Sequence, residues 1–223
     1  MIDDSCTRDL HVRGCPACSH LDQRMTEYFA EQQGRLSRSE EAQSEYANQR
    51  GYCPLHTWQL AAFSSPRGLS RGLKTIIRRI AELLNRLADS HAESLVESLP
   101  AIIPDECVVC HFLKDTEARY VKAFARFLEE NGNLERYKCS HGLCLRHLQL
   151  VLARMEEGTR KVILIRLAAD RLWEISESMV QYDLKHEELK RELLTRDEKD
   201  AYRRCLVMLS GERTVFSPFM KKV

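Results

Sequence analysis

Cys15-Pro-Ala-Cys18, followed by Gly51-Tyr-Cys53-Pro-Leu-His56, has a second copy in the chain: Cys107-Val-Val-Cys110, followed by Gly142-Leu-Cys144-Leu-Arg-His147. Each copy reads C-x2-C and then G-[YL]-C-x2-H. Between the second and third cysteines lie 34 residues in the first copy and 33 in the second. The C-x2-C halves are offset by 92 residues and the C-x2-H halves by 91. Three thiolates and one imidazole are a full tetrahedral donor set for zinc. The repeat also filters the background. The chain holds 9 Cys and 8 His, and only three Cys and one His per copy have a counterpart in the other.

The repeat divides the chain into residues 1–101, residues 102–195 and a C-terminal segment 196–223. Each half follows one plan. A helix leaves the C-x2-C pair, with Leu21, Met25, Tyr28 and Phe29 at helical spacing in the first half and Phe112, Thr116, Tyr120 and Phe124 in the second. A polar stretch follows, Ser37 to Arg50 or Asn131 to His141. Gly51 and Gly142 suit helix C′ caps, where a positive φ is needed. The C-x2-H pair then opens a short helix, Pro54 to Phe63 or Leu145 to Arg154, and Pro54 fits the first helical turn. A long amphipathic helix closes each half. Its apolar stripe is Leu69, Leu73, Ile76, Ile77, Ile80, Leu83, Leu84, Leu87 and Leu95 in the first, and Val162, Ile165, Leu172, Ile175 and Met179 in the second. Pro100 and Pro104 bracket the linker, and a last short helix spans Asp197 to Leu209 before Gly211. The expected fold is all-α, with two related helical units packed together because neither has a large core alone.

Composition narrows the function. Hydrophobic residues are 43% and charged residues 30%, and 34 Lys+Arg against 33 Asp+Glu leave a formal charge of +1. Such a balance lacks the global basic footprint of a nucleic-acid or anionic-membrane binder. The first ten residues lack an apolar signal region, and no run approaches a membrane helix. A cytoplasmic protein is expected, and in a reducing compartment C-x2-C pairs more often bind metal than form structural disulfides.

The eight matched residues are therefore the expected metal ligands: Cys15, Cys18, Cys53 and His56 around one centre, Cys107, Cys110, Cys144 and His147 around another. Zinc is the favoured metal, because a closed set of three sulfurs and one nitrogen, without a spare position, is a structural zinc pattern. Iron–sulfur clusters are the alternative, since they also accept His at some positions. A thiol–disulfide role for Cys15 and Cys18 lacks the βαβ context it needs. Cys107-Val-Val-Cys110-His111 matches the C-x-x-C-H haem pattern, but the other copy has Ser19 at the position of His111, so that match reads as chance. Cys6, Cys139, Cys205, His20, His91, His141 and His186 have no repeat partner and read as ordinary side chains. Arg67, Arg71, Lys74 and Arg78 form a basic ridge at helical spacing, which reads first as a solvated face. No phosphate loop, Ser-His-Asp arrangement or distinctive carboxylate pair is present.

On these residues the chain resembles a prokaryotic, mostly helical family built on tandem C-P-x-C…G-F-C-x2-H repeats. The match is carried by Cys15, Pro16, Cys18, Gly51, Cys53 and His56, then Cys107, Cys110, Gly142, Cys144 and His147. Tyr52 and Leu143 replace the usual Phe, and Val108 replaces Pro. Those changes alter packing beside the donors, not the donors. The resemblance implies the helical fold and the ligands and carries no activity. The leading expectation is a non-enzymatic metal-binding protein acting as a structural and interaction module, its partner another protein. An iron–sulfur electron carrier or redox sensor, and a metal-dependent nucleic-acid binder using the ridge, are the alternatives.

Overall fold

The computed structural model describes residues 2–89, 107–187 and 191–212. Leu95, His91, Pro100 and Pro104 lie outside the described residues. Every described element is helical: α1 (Ile2–Asp9), α2 (Pro16–Arg38), α3 (Glu40–Asn48), α4 (Pro54–Phe63), α5 (Pro66–Asp89), α6 (Val108–Glu129), α7 (Asn133–Lys138), α8 (Leu145–Leu152), α9 (Gly158–Glu187), a 3-10 turn at Arg191–Leu193, and α10 (Arg196–Ser210). None of these helices is long and apolar enough to cross a membrane.

Local chemistry sets several of the boundaries. Pro54 stands in the first turn of α4, where its missing N–H leaves nothing unsatisfied. Ser39 caps α3 by accepting from Ala42 N–H. Thr195 and Glu198 form a reciprocal capping box at the start of α10, and Gly211 closes its other end with φ +77°. The polar stretches Ser37–Arg50 and Asn131–His141, to which no helix bounds were assigned from the sequence, contain α3 and α7. Their helicity is invisible to hydrophobic periodicity because α3 buries Ala42, Gln43, Tyr46 and Ala47, a mixed set.

The chain forms two compact units, and they do not follow the division at 1–101, 102–195 and 196–223. Among the described residues, one unit consists of 2–22 with 116–212, and the other of 23–89 with 107–115. Helices α2 and α6 each contribute residues to both.

In the first unit the core is built on Tyr120, Phe124, Phe127 and Leu128 of α6, with Leu143, Val151, Leu164 and Ala168. Phe124 stacks on Tyr120 with ring centroids 5.6 Å apart and meets Tyr137 edge-on at 6.2 Å. Helix α9 packs against α10, which also meets α8. The stripe expected on α9 is only partly the buried one. Leu164, Ala168 and Ile175 are buried, with Leu167 half-buried, whereas Val162, Ile165 and Met179 are exposed and Trp173 is 69% exposed. The helix carries two apolar faces, so a period of 3.6 residues fits either.

In the second unit Phe29 is the centre. Its ring lies 5.7 Å from Tyr28, 6.2 Å from Tyr52 and 5.7 Å from Phe63. Met25, Tyr46, Leu60, Ile76 and Val109 complete the core, with Leu69, Leu73 and Ile80 of α5 packed against it. Ile77 and Leu84, expected on the same stripe, are exposed. Helix α3 packs on α5. At Gly72 of α5 a Cβ would stand 3.0 Å from Leu36 Cβ, so glycine permits the close approach to α2.

Candidate metal centres

Each C-x2-C and each C-x2-H begins a helix in the same register. Cys53 is the N-cap of α4, with φ −60° and ψ 162°, and Cys144 the N-cap of α8, with φ −64° and ψ 160°. Cys15 and Cys107 immediately precede α2 and α6. All four carbonyls accept the first helical bond: Ser19 N–H to Cys15, Thr57 to Cys53, His111 to Cys107 and Leu148 to Cys144, at 2.8–3.0 Å. The second donor of each pair, Cys18, His56, Cys110 or His147, therefore sits three residues into the helix. N-cap and N3 side chains lie on one side of the first turn, as a capping box shows. A C-x2-C spacing thus aims both sulfurs at one point from the helix N-terminus itself, rather than from a preceding loop. Helix N-termini favour thiolate through their free N–H groups.

The glycine before each C-x2-H turns the chain into this geometry. Gly51 and Gly142 have φ of +77° and +83°. Their placement differs from the expected C′ cap. Arg50, at φ +58°, is the C′ residue of α3, and Gly51 follows it, donating to Tyr46 O in a Schellman arrangement. Gly142 lies further beyond α7, whose C-cap is Cys139. A tyrosine braces each turn: Tyr137 Oη accepts from Leu143 N–H at 2.9 Å, and Tyr46 Oη accepts from Tyr52 N–H. The two tyrosines are 91 residues apart, the offset of the C-x2-H motifs, so the repeat itself could have found them.

The grouping of the eight residues overturns the expected pairing. Cys15 and Cys18 gather with Cys144 and His147, and Cys107 and Cys110 with Cys53 and His56. Neither half closes a set of its own; each C-x2-C meets the C-x2-H of the other copy. Within each group the four donor atoms lie within 4.8 Å of one another. In the first, His147 Nδ1 is 3.4 Å from Cys15 Sγ, 3.4 Å from Cys18 Sγ and 3.2 Å from Cys144 Sγ, and the sulfurs of Cys18 and Cys144 are 3.9 Å apart. In the second, His56 Nδ1 is 3.1 Å from Cys53 Sγ, 3.5 Å from Cys107 Sγ and 3.4 Å from Cys110 Sγ, and Cys53 and Cys110 sulfurs are 3.9 Å apart. A regular tetrahedron of ligands about 2.3 Å from a central ion has edges of about 3.8 Å. Both groups could hold a metal ion on that geometry.

The electrostatics of the two groups show the strain of crowded thiols. In the first, hydrogen bonding to Cys144 and Cys15, then burial, drives the Cys18 thiol up, while contacts from Cys15 and Cys18 outweigh burial and hold Cys144 down as the thiolate. His147 rises to about 11: burial opposes its charge, but Cys144, Cys15 and Glu117 outweigh it. In the second, Cys107 falls to about 6, with burial opposed by His56 and by the backbone N–H groups of Cys110 and Val109. Cys110 is pushed up to about 12 by burial and by Cys107 and Cys53. Sites that hold thiolate against burial in this way gain from a cation that replaces their shared protons.

The surroundings of the two groups differ. His147 Nε2 lies 3.1 Å from Glu117 Oε1, and Arg146 grips the same carboxylate at 3.1 and 2.8 Å. Glu117 is held at about 2, its burial outweighed by His147 and Arg146. Glu212 N–H donates to Cys18 Sγ at 3.4 Å. His56 Nε2, by contrast, is buried with no hydrogen-bond partner, and the Phe29 ring is its neighbour at 6.3 Å. Glu117 escaped the sequence reading because the residue 92 positions earlier is Met25; Arg146 likewise corresponds to Leu55.

Cys6, Cys139, Cys205, His20, His111 and His141 lie outside both groups. Cys6 is buried in the first core, Cys139 is exposed, and Cys205 is half-buried, all outside both groups. His20 stacks on Tyr120 at 4.3 Å. His111 is 70% exposed, pairs with Asp115 at 3.3 Å and lies outside the group formed by Cys107 and Cys110 with Cys53 and His56. His141 borders a cleft with Arg13, Asp200 and Arg204, where both arginines are paired to Asp200. Arg67, Arg71, Lys74 and Arg78 all face solvent on α5.

An all-helical chain carrying two four-donor Cys/His groups is the class these observations define. The chain belongs to the family of unknown function DUF6062, whose model matches residues 10–214. Comparison with curated proteins and with solved structures gives no match.

Proposed function

We propose that the protein binds two zinc ions that fasten helix N-termini from distant parts of the chain, and that the resulting helical body serves as an interaction module. The observation that carries this reading is the donor spacing: three sulfurs and one imidazole nitrogen per group, all within 4.8 Å. That is the ligand sphere of a single ion. An iron–sulfur cluster places several irons and bridging sulfides among its cysteines and spreads their sulfurs wider, so the spacing favours zinc over the cluster. Each set is closed, with no position left for substrate, which supports a structural role. The exposed apolar face of α9, with Val162, Ile165, Trp173, Val180 and Leu184, supports a partner protein.

The test is elemental analysis of protein purified and kept without oxygen. Two zinc per chain without acid-labile sulfide is the expected result. Several irons per chain with matching sulfide would move the protein to the electron-carrier or sensor reading.

A further inference from the structure

We propose that the Cys53/His56/Cys107/Cys110 centre is an oxidation site from which a peroxide expels the zinc, while the Cys15/Cys18/Cys144/His147 centre resists. The proposal rests on the two-zinc reading and goes beyond it by giving the two centres different chemistry.

Two independent observations separate them. The first is access. Cys15, Cys18, Cys144 and His147 are all 0% exposed, whereas Cys53 and Cys110 are both partly open to solvent. Oxidation of thiolates follows access as well as ionisation. The second is support of the histidine. When Nδ1 ligates, the imidazole proton is on Nε2. At His147 that proton has Glu117 to receive it, itself gripped by Arg146. Such a carboxylate fixes the ring and raises its basicity as a ligand. At His56 the same proton is buried without an acceptor, so holding the metal leaves a donor unsatisfied. The more exposed centre is thus also the less supported one.

The chemistry needs only a hydroperoxide as co-reactant. The Cys110 thiolate attacks one peroxide oxygen; an S–O bond forms, the O–O bond breaks, and hydroxide leaves. The Cys53 thiolate, 3.9 Å away, then attacks that sulfur. An S–S bond forms, the S–O bond breaks, and a second hydroxide leaves. Two electrons pass from the sulfurs to the peroxide. The zinc remains divalent, loses two of its four donors and departs as the aqueous ion.

The experiment treats the zinc-loaded full chain with hydrogen peroxide in steps. Released zinc is read with a chromogenic chelator, and remaining thiols by alkylation after denaturation and peptide mass spectrometry. The expected result is release of one zinc per chain, with loss of alkylation, among the six cysteines of the two groups, confined to the Cys53 and Cys110 peptides. The second zinc should follow about 10–100-fold more slowly, the range by which outer partners of a ligand alter a site. Simultaneous release of both, or first loss at Cys15, Cys18 or Cys144, overturns the proposal. If the protein proves to hold no zinc, the two-zinc reading fails by itself. The order of alkylation loss in that metal-free chain still decides: Cys53 and Cys110 first upholds the oxidation site, and the reverse order removes it.

Discussion

Glu117 shows how one side chain divides two otherwise matched centres. It receives the outer nitrogen of His147 and is itself held by both arms of the Arg146 guanidinium. Replacing it by Gln keeps the shape and removes the charge. Glu117→Gln should weaken zinc at the Cys15/Cys18/Cys144/His147 set by about 10–100-fold and leave the other set unchanged, as read by competition with a chelator. Equal weakening at both sets would show that Glu117 acts on the fold instead. The residue was not legible in the sequence, because a lone Glu on a helix has no signature. Its role depends on which histidine α6 faces. The eight donors, by contrast, were legible one by one, since thiolate and imidazole at C-x2-C and C-x2-H spacing have few other reasons to recur. Tyr46 and Tyr137 lie between these cases: their repeat was in the chain, but a buried tyrosine reads as core until its hydroxyl is seen to brace a backbone N–H.

Helix ends carry most of the specificity at the next level up. The strongest example outside the metal centres is the start of α10, where Thr195 accepts from Glu198 N–H and Glu198 accepts from Thr195 N–H and from Lys185. Thr195→Ala should cost about 1 kcal/mol in thermal or denaturant unfolding. Glu198 also titrates below the usual carboxylate range, through Lys185 first and the Thr195 backbone second. A carboxylate held low in the folded state adds stability above its unfolded value of about 4.3, and that stability is lost as acid protonates it in the native protein. Glu198→Gln should therefore be less stable than the parent at pH 7, and the difference should shrink towards zero as pH falls below about 4. A difference that stays constant from pH 7 to pH 3 would assign Glu198 a packing role. The long helices and α4 were readable from periodicity and from Pro54. Helices α3 and α7 were not, because their burial rests on small and polar residues such as Ala42, Gln43 and Asn133.

For the chain as a whole, the crossed pairing makes a prediction that no single substitution can test. Cys15→Ser with His147→Ala should remove one zinc per chain, because both donors belong to one centre. Cys15→Ser with His56→Ala should remove both, because they belong to different centres. Pairing within each half gives the opposite result, and metal content per folded chain distinguishes them. The amino-acid sequence was enough to define an all-helical protein and the eight Cys and His residues of its two groups, because donor chemistry and helix signals are local. Read half by half, it joined each C-x2-C to the wrong C-x2-H. The donors offer the same chemistry either way, and separation along the chain discriminates weakly. Cys18 and Cys144 are 126 residues apart. By the logarithmic law of loop closure, joining them costs only about 1 kcal/mol more than joining Cys18 to Cys53 in the same half. Burial of Leu10 and Ala17 in one core with Tyr120, Phe124 and Leu143, and of Val109 in the other with Met25, Phe29 and Leu60, outweighs a difference of that size. Packing of side chains far apart in the chain therefore chose the partners, and through them placed Glu117 beside His147 and left His56 without an equivalent.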